Sequence, residues 1–439
     1  MPVSEIGACA TARAIAAGAT SAVAECEAAI ARIEARNPAL NAVIVKDYDR
    51  ARADARAADA AIARGERRPL LGVPMTVKES FEMAGTPSTW GMAEYAENRL
   101  DQDGSTVARL RAAGAIILGK TNVPVALADI QTINPIYGRT VNPHDASRTC
   151  GGSSGGSAAA LAAGMVPLEF GTDIGGSIRT PAHFCGVFGH KSSYGVVPLD
   201  GHRFPRTDGA SRPLSVAGPL ARHAEDLAAA LDATVAVALP RARITQLAGA
   251  RLFVLTAHPG APVARAIADG VDALAARAAA AGAIINRSSP LLPDLADLAE
   301  TYMRMLNIIV TNAAPAPDGH VPTVAQWFAL CDAQARFQRQ FARFFDAFDA
   351  IICPVHGSTA FPHDDLPDLR QRTLTIDGAQ TRYADQFAWI SMATFAGLPA
   401  TSTPIGWADG LPFNAQIITA DRRDHDAIAL AGMLHALKE

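Results

Sequence analysis

Apolar positions along the chain fall into helical and strand rhythms that keep alternating. Residues from about 11 to 36 and from 47 to 65, rich in alanine, arginine and glutamate, predict two surface helices flanking a short strand, Ala42-Val43-Ile44-Val45. The interleaved Arg and Asp between Asp49 and Arg56 read as a solvated face. Gly65 to Pro69 breaks the second helix, and the unbroken apolar run Leu71–Val77 predicts a buried strand ended by Lys78. A helix at about 104–113, the strand Ala115–Leu118 and the turn Gly119-Lys120-Thr121-Asn122 repeat the rhythm, and it returns at Arg251–Leu255, Val263–Ala281 and Ile284–Asn286. From Asp294 to Phe348 the pattern is mainly helical. There Trp327, Phe328, Phe337, Phe341, Phe344 and Phe345 recur at helical spacing, a stripe read first as core packing and second as the lining of a substrate funnel. Strands at Ala350–Pro354, Ala400–Pro404 and Phe413–Thr419, then an alanine-rich helix, close an α/β pattern that no repeat or linker divides.

Composition narrows the class. At 439 residues, with 49% apolar and 19% charged residues, the chain can build a sizeable core and is not wholly disordered. A formal net charge of −4 offers no basic footprint, so nucleic acid is not an expected partner. The six cysteines are scattered without a CxxC pair, which argues against a zinc site or a disulfide framework and for reduced, buried thiols in a cytoplasmic protein. Met1–Glu5 carry no basic leader, and no apolar run approaches the ~20 residues of a membrane span. A soluble, cytoplasmic enzyme is expected.

Candidate chemistry concentrates between Cys150 and Pro181. Gly151–Gly156 would pass for a flexible linker on composition alone, but the alanine-rich run Ser157–Gly164 predicts a helix directly behind it. A second cluster, Gly171-Thr172-Asp173-Ile174-Gly175-Gly176-Ser177, precedes another helix start at Ile178–Pro181. Two glycines before a serine let adjacent N–H groups line one concave side, a nest able to hold the oxyanion of an acyl transfer while Ser177 attacks. That serine needs a base. Lys78 and Lys120 both end apolar strands, where desolvation lowers an ammonium pKa, and the residues alone do not separate them.

Val77-Lys78-Glu79, GGSSGGSAAA and GTDIGGSIRTPAHFCGVFGHKSSYG together resemble the amidase signature family of serine hydrolases, and the spacing of Lys78, Ser153 and Ser177 agrees. ARIEARNPALNAVI, GSTVARLRAAGAIILGKTNVP, NPIYGRTVNPHDASRT, ICPV and FAGLPATSTPIG extend the likeness over most of the chain, weakly between about 225 and 345. The resemblance implies a catalytic triad of Lys78, Ser153 and Ser177, with Ser177 as nucleophile and Ser153, after a cis Gly152–Ser153 peptide, relaying its proton to Lys78. It implies an oxyanion hole from the N–H groups of Ile174, Gly175, Gly176 and Ser177. Ser154, Asp173 and Arg179 would support the site, and Leu127, Ala128 and Gln131 would adjoin the acyl pocket. Asp129, in the same loop, is placed to meet either substrate or solvent, and solvent is the reading preferred here.

The expected fold is a single α/β/α domain around a central mixed, mostly parallel twisted sheet. Within residues 1–439 it would comprise an N-terminal helical region 1–66, a catalytic core 67–222, a more divergent, mainly helical region 223–349, and 350–439 completing the sheet. The expected activity is hydrolysis of a carboxylic amide C–N bond through an acyl-enzyme on Ser177, with no metal and no cofactor. The partners are a small-molecule amide and water, and the chain is compatible with a homodimer. Alternatives are an esterase or carbamate hydrolase using the same site, and an amidase-like subunit of a tRNA-dependent amidotransferase. A G-x-S-x-G elbow with Ser153 attacking and His356 or His363 as base is disfavoured, because a polar, proline-broken loop precedes it. Cys150, Asn414-Ala415 and Thr419-Ala420 depart from the family pattern; none touches the triad, and the C-terminal changes argue against carrying substrate preference over from relatives.

Overall fold

The computed structural model describes residues 7–315 and 319–437; Met1–Glu5, read above for their lack of a basic leader, lie outside them. Among the described residues, eleven strands form one sheet. In chain order they are β1 (Val43–Lys46), β2 (Pro74–Lys78), β3 (Ile116–Thr121), β4 (Leu168–Asp173), β5 (Phe188–Lys191) and β6 (Val216–Ala221). Then come β7 (Arg251–Val254), β8 (Ile284–Asn286), β9 (Ala350–Pro354), β10 (Ala400–Ala408) and β11 (Leu411–Ile418). Their order across the sheet is β1-β3-β2-β4-β6-β5-β10-β11-β9-β7-β8.

The sheet is mixed, and its parallel pairings are confined to two runs, β3-β2-β4 and β9-β7-β8. Between these runs, and at β1, every pairing is antiparallel. The expectation of a mostly parallel sheet therefore holds within each run and not across the centre. Connection length accounts for one of the central pairings: β10 and β11 are joined by the two residues Asp409 and Gly410, with φ of +51° and +75°, a tight turn that forces antiparallel pairing.

Both faces of the sheet are covered, as alternation along the strands shows. Ile117 joins one core with Met75, Val77, Leu168 and Phe170, while its neighbours Ile116 and Leu118 join another with Leu220. At the other end Ile352 and Ile417 share the first core, whereas Ile351, Cys353 and Ile418 turn to a third one built on the helices Leu295–Val310, Val324–Ala347 and Phe387–Phe395. The result is α/β/α. The long N-terminal helix expected over 11–36 is two, Ala8–Ala16 and Ala22–Leu40. Gly18 takes a left-handed φ of +71°, and Ser21 caps the second helix by accepting from Ala24 N–H at 3.1 Å, so local punctuation overrides the alanine-rich pattern.

One close approach sets the site's floor. In the helix Gly155–Ala162, a Cβ on Gly156 would stand 2.3 Å from the Asn122 nitrogen, so the second glycine pair lets this helix lie directly against the turn after β3. Lys78, Thr121 and Asp173 end the parallel strands β2, β3 and β4, and the loops leaving these carboxyl ends carry the candidate chemistry.

Candidate active site

Lys78 closes β2 and is fully buried. A strand with no exposed face directs its last side chain into protein instead of along a surface to water. Nζ donates to Ser153 Oγ at 2.7 Å and to Thr172 Oγ1 at 2.9 Å. Both partners are uncharged, and burial pushes the Lys78 pKa down to about 7 against the opposing pull of Asp173 and Glu79. Glu79 is engaged elsewhere, accepting from the N–H groups of Thr89 and Trp90 at 2.5 and 3.0 Å, and Glu82 pairs with Arg203 at 2.5 Å. A lysine with a pKa near neutrality can take a proton from the hydroxyl it touches. Lys120 is also buried and lowered by burial to about 8, but its ammonium donates to the Pro87 carbonyl.

β4 leads through Ile174–Ile178 into the helix Arg179–Cys185, and Asp173 folds this turn around its carboxylate. It accepts from Gly176 N–H at 3.0 Å, Ile178 N–H at 3.1 Å, and Arg179 Nε and Nη2 at 3.0 and 2.9 Å. Burial by itself would raise the Asp173 pKa; the Arg179 guanidinium outweighs it and holds the carboxyl down at about 2. Gly176 sits at φ +90°, and a Cβ there would lie 2.7 Å from Thr180 Oγ1, so the turn before Ser177 requires glycine twice over. Ser154 N–H donates to the Ser177 carbonyl at 3.1 Å and joins the two glycine-serine segments, while its hydroxyl donates to the Thr172 carbonyl at 3.4 Å. The Gly152–Ser153 peptide is cis.

Two cavities meet at Ser177. The larger, about 230 Å³, is mainly apolar, with Met303, Leu306, Val310 and Phe387 in its wall beside Ile174 and Gly175. The smaller, about 60 Å³, is walled by Ser153, Thr172, Trp90, His202, Phe204 and Arg212. Leu127 and Ala128 line both, as befits residues expected beside an acyl pocket. Gln131 lines neither: its side chain donates to the Asp364 carbonyl at 2.8 Å and accepts from Asp364 N–H at 3.0 Å. Asp129 lines the larger cavity and does not face open solvent, the reading preferred from sequence. Arg372 Nη1 and the Tyr383 hydroxyl donate to its two oxygens at 2.7 and 2.5 Å, tying the loop that crosses Gly152 to the segment around Arg372–Tyr383.

Four of the six aromatics in the stripe are core, whereas Trp327 is only partly buried and Phe328 is 64% exposed. Phe337, Phe341, Phe344 and Phe345 are buried away from both cavities, and the preceding helix, Leu295–Val310, supplies the wall instead. His356 packs against Phe184 and Phe361, His363 meets the Ala146 carbonyl, and neither lines a cavity with Ser153. Among the described residues only isolated bridges directly precede Gly151, so the strand that a nucleophile elbow needs is absent there. Asn414, a departure from the family pattern, donates to the Val187 carbonyl and Ser402 Oγ at 2.9 Å each, inside the sheet and apart from the cavities.

Sequence reasoning missed three features. Thr172 holds Lys78, and no sequence signal marked it: strict alternation from the Phe170–Val77 pair would set Thr172 and Lys78 on opposite faces, and the contact forms where the two strands end. Lys191 is a third buried lysine, donating to the carbonyls of Ser192 and Leu398 at 3.0 and 2.8 Å and lowered by burial to about 7. Tyr302, from the region of weakest resemblance, donates to the Ile174 carbonyl at 2.8 Å, and no sequence signal marked it.

A family model described as Amidase matches residues 25–242 and 307–428. A putative amidase, AmiB2, of Mycobacterium tuberculosis is 47% identical over 234 residues, which is 53% of this chain and 49% of that protein. The match thus spans about half the length of that relative. Indoleacetamide hydrolase of Bradyrhizobium diazoefficiens is 32% identical over 469 residues, covering 99% of this chain and 86% of that protein. Among solved structures, a bacterial aryl acylamidase belonging to the amidase signature family superposes with a TM-score of 0.86 at 25% identity, covering 100% of this chain and 97% of that one.

Proposed function

We propose that this chain, which belongs to the amidase signature family, cleaves the C–N bond of an amide with an apolar acyl group and a small amine, through an acyl-enzyme on Ser177. Neutral Lys78 takes the proton of Ser153 as Ser153 takes that of Ser177, and Ser177 Oγ bonds to the amide carbon. The N–H groups of Ile174, Gly175 and Ser177 receive the oxyanion; the Gly176 N–H, expected among them, is taken by Asp173, which with Arg179 holds the loop in place. The proton then returns through Ser153 to the amide nitrogen, the C–N bond breaks and the amine leaves. Water repeats the sequence on the acyl-enzyme and releases the acid.

The two cavities carry the substrate assignment. The leaving nitrogen must collect its proton from Ser153, so it belongs in the cavity that Ser153 lines. At about 60 Å³ that space holds a few waters or a small amine. The acyl group is left with the larger, apolar cavity of about 230 Å³. Purified protein should therefore turn over primary amides of arylacetic or medium-chain acids. An N-butyl amide of the same acid should lose at least about tenfold in kcat/KM through steric exclusion. Equal or faster turnover of the N-butyl amide would reverse the assignment of the two cavities.

A further inference from the structure

We infer that Tyr302 is a positioning residue for the oxyanion hole, acting through the peptide plane between Ile174 and Gly175. The inference rests on the proposed role of the Gly175 N–H. In a trans peptide the carbonyl and the N–H point in opposite directions, so whatever fixes one aims the other. Tyr302 Oη donates to the Ile174 carbonyl at 2.8 Å, and Tyr302 is fully buried. Gly175, on the far side of that bond, lines the cavity beside Ser177. Its missing Cβ would lie 3.0 Å from Phe387 and 3.7 Å from Tyr302 Oη, so both rings close on this residue and leave the peptide little room to turn.

Arg179 Nη2 donates to Thr394 Oγ1 at 2.7 Å, and the Thr394 side chain stands beside the Tyr302 hydroxyl. Arg179 thus braces the turn directly through Asp173 and also holds the threonine that borders Tyr302. Deleting the tyrosine hydroxyl leaves the Ile174 carbonyl without this partner and frees the plane to tilt.

Tyr302→Phe keeps the ring and its packing. Removing an oxyanion donor outright costs about 10²–10³ in kcat, so misaiming one should cost about tenfold to a hundredfold, with KM nearly unchanged. Affinity for a trifluoromethyl ketone, which forms the tetrahedral oxyanion on Ser177, should fall by a like factor, while affinity for the matching unreactive alcohol should hold. The pH profile of kcat/KM should keep its midpoint. Thr394→Val should give a smaller loss of the same signature and serves if Tyr302→Phe does not fold. Unchanged kcat and ketone affinity in the folded variant overturn the inference, as does equal weakening of ketone and alcohol. Failure of the underlying reading looks different: wild-type protein would then form no Ser177 adduct with a fluorophosphonate or the ketone.

Discussion

Lys78 carries the sharpest prediction, because its proposed role needs it uncharged. A lysine at its ordinary pKa of 10.5 would be neutral in roughly three molecules in ten thousand at pH 7. With the pKa at about 7, roughly half are neutral, a gain of about a thousandfold in available base worth roughly 5 kcal/mol of depressed ionisation. kcat/KM for an uncharged amide should therefore rise with pH through a midpoint near 7, reaching roughly a tenth of its plateau at pH 6 and nine tenths at pH 8. Lys78→Arg and Lys78→Met should both be inactive, since guanidinium does not deprotonate in a protein. Lys191 has a pKa lowered to about 7 as well, so Lys191→Met is the essential control: it should leave the midpoint in place. His202, beside Ser177 and lowered by burial to about 3, titrates too low to produce this limb. The same shift has a stability counterpart. The folded-state pKa is depressed, so between about 7 and 10.5 the unfolded chain holds more protons, and stability rises with pH across that window. Lys78→Met should thus gain stability over wild type by roughly 3 kcal/mol more at pH 6 than at pH 9, read from urea midpoints. A midpoint that moves with Lys191, or substantial turnover by Lys78→Arg, would refute the reasoning.

Ser177→Ala should abolish labelling by a fluorophosphonate and lower kcat by at least about a thousandfold; labelling retained there but lost in Ser153→Ala would make Ser153 the nucleophile. Asp129→Asn weakens the pairing of Arg372, whose side chain is only 7% exposed, and should cost about 1–3 kcal/mol in a denaturant titration; no loss would mean that the Arg372–Tyr383 segment does not hold this loop. Chelators should leave activity unchanged, since among the described residues no three His, Cys, Asp or Glu side chains are grouped to hold a metal; activity restored by added zinc after chelation would contradict this.

The features legible in the sequence are those set by neighbours along the chain. The apolar run into Lys78, the glycine pairs before Ser153 and Ser177, and the alternation of strands with alanine-rich helices are local patterns, and each strand or turn formed where they lie. Paired glycines declare themselves because few other residues reach φ near +90° or tolerate a backbone 2.3 Å from where a Cβ would stand. What stayed hidden depends on elements far apart in sequence. Lys78 and Lys120 both end buried strands and both lose charge to burial, and only the packing of the Ser153 loop over β2 and β4 distinguishes them. Asp129 reads as a loop carboxylate until Arg372 and Tyr383 arrive from more than two hundred residues away. Tyr302 reads as one more apolar-face residue of a helix, and its hydroxyl gains a role only when that helix settles over the Ile174–Gly175 peptide. A hydrogen bond acts over about 3 Å, and no local pattern records which distant group will come within that reach.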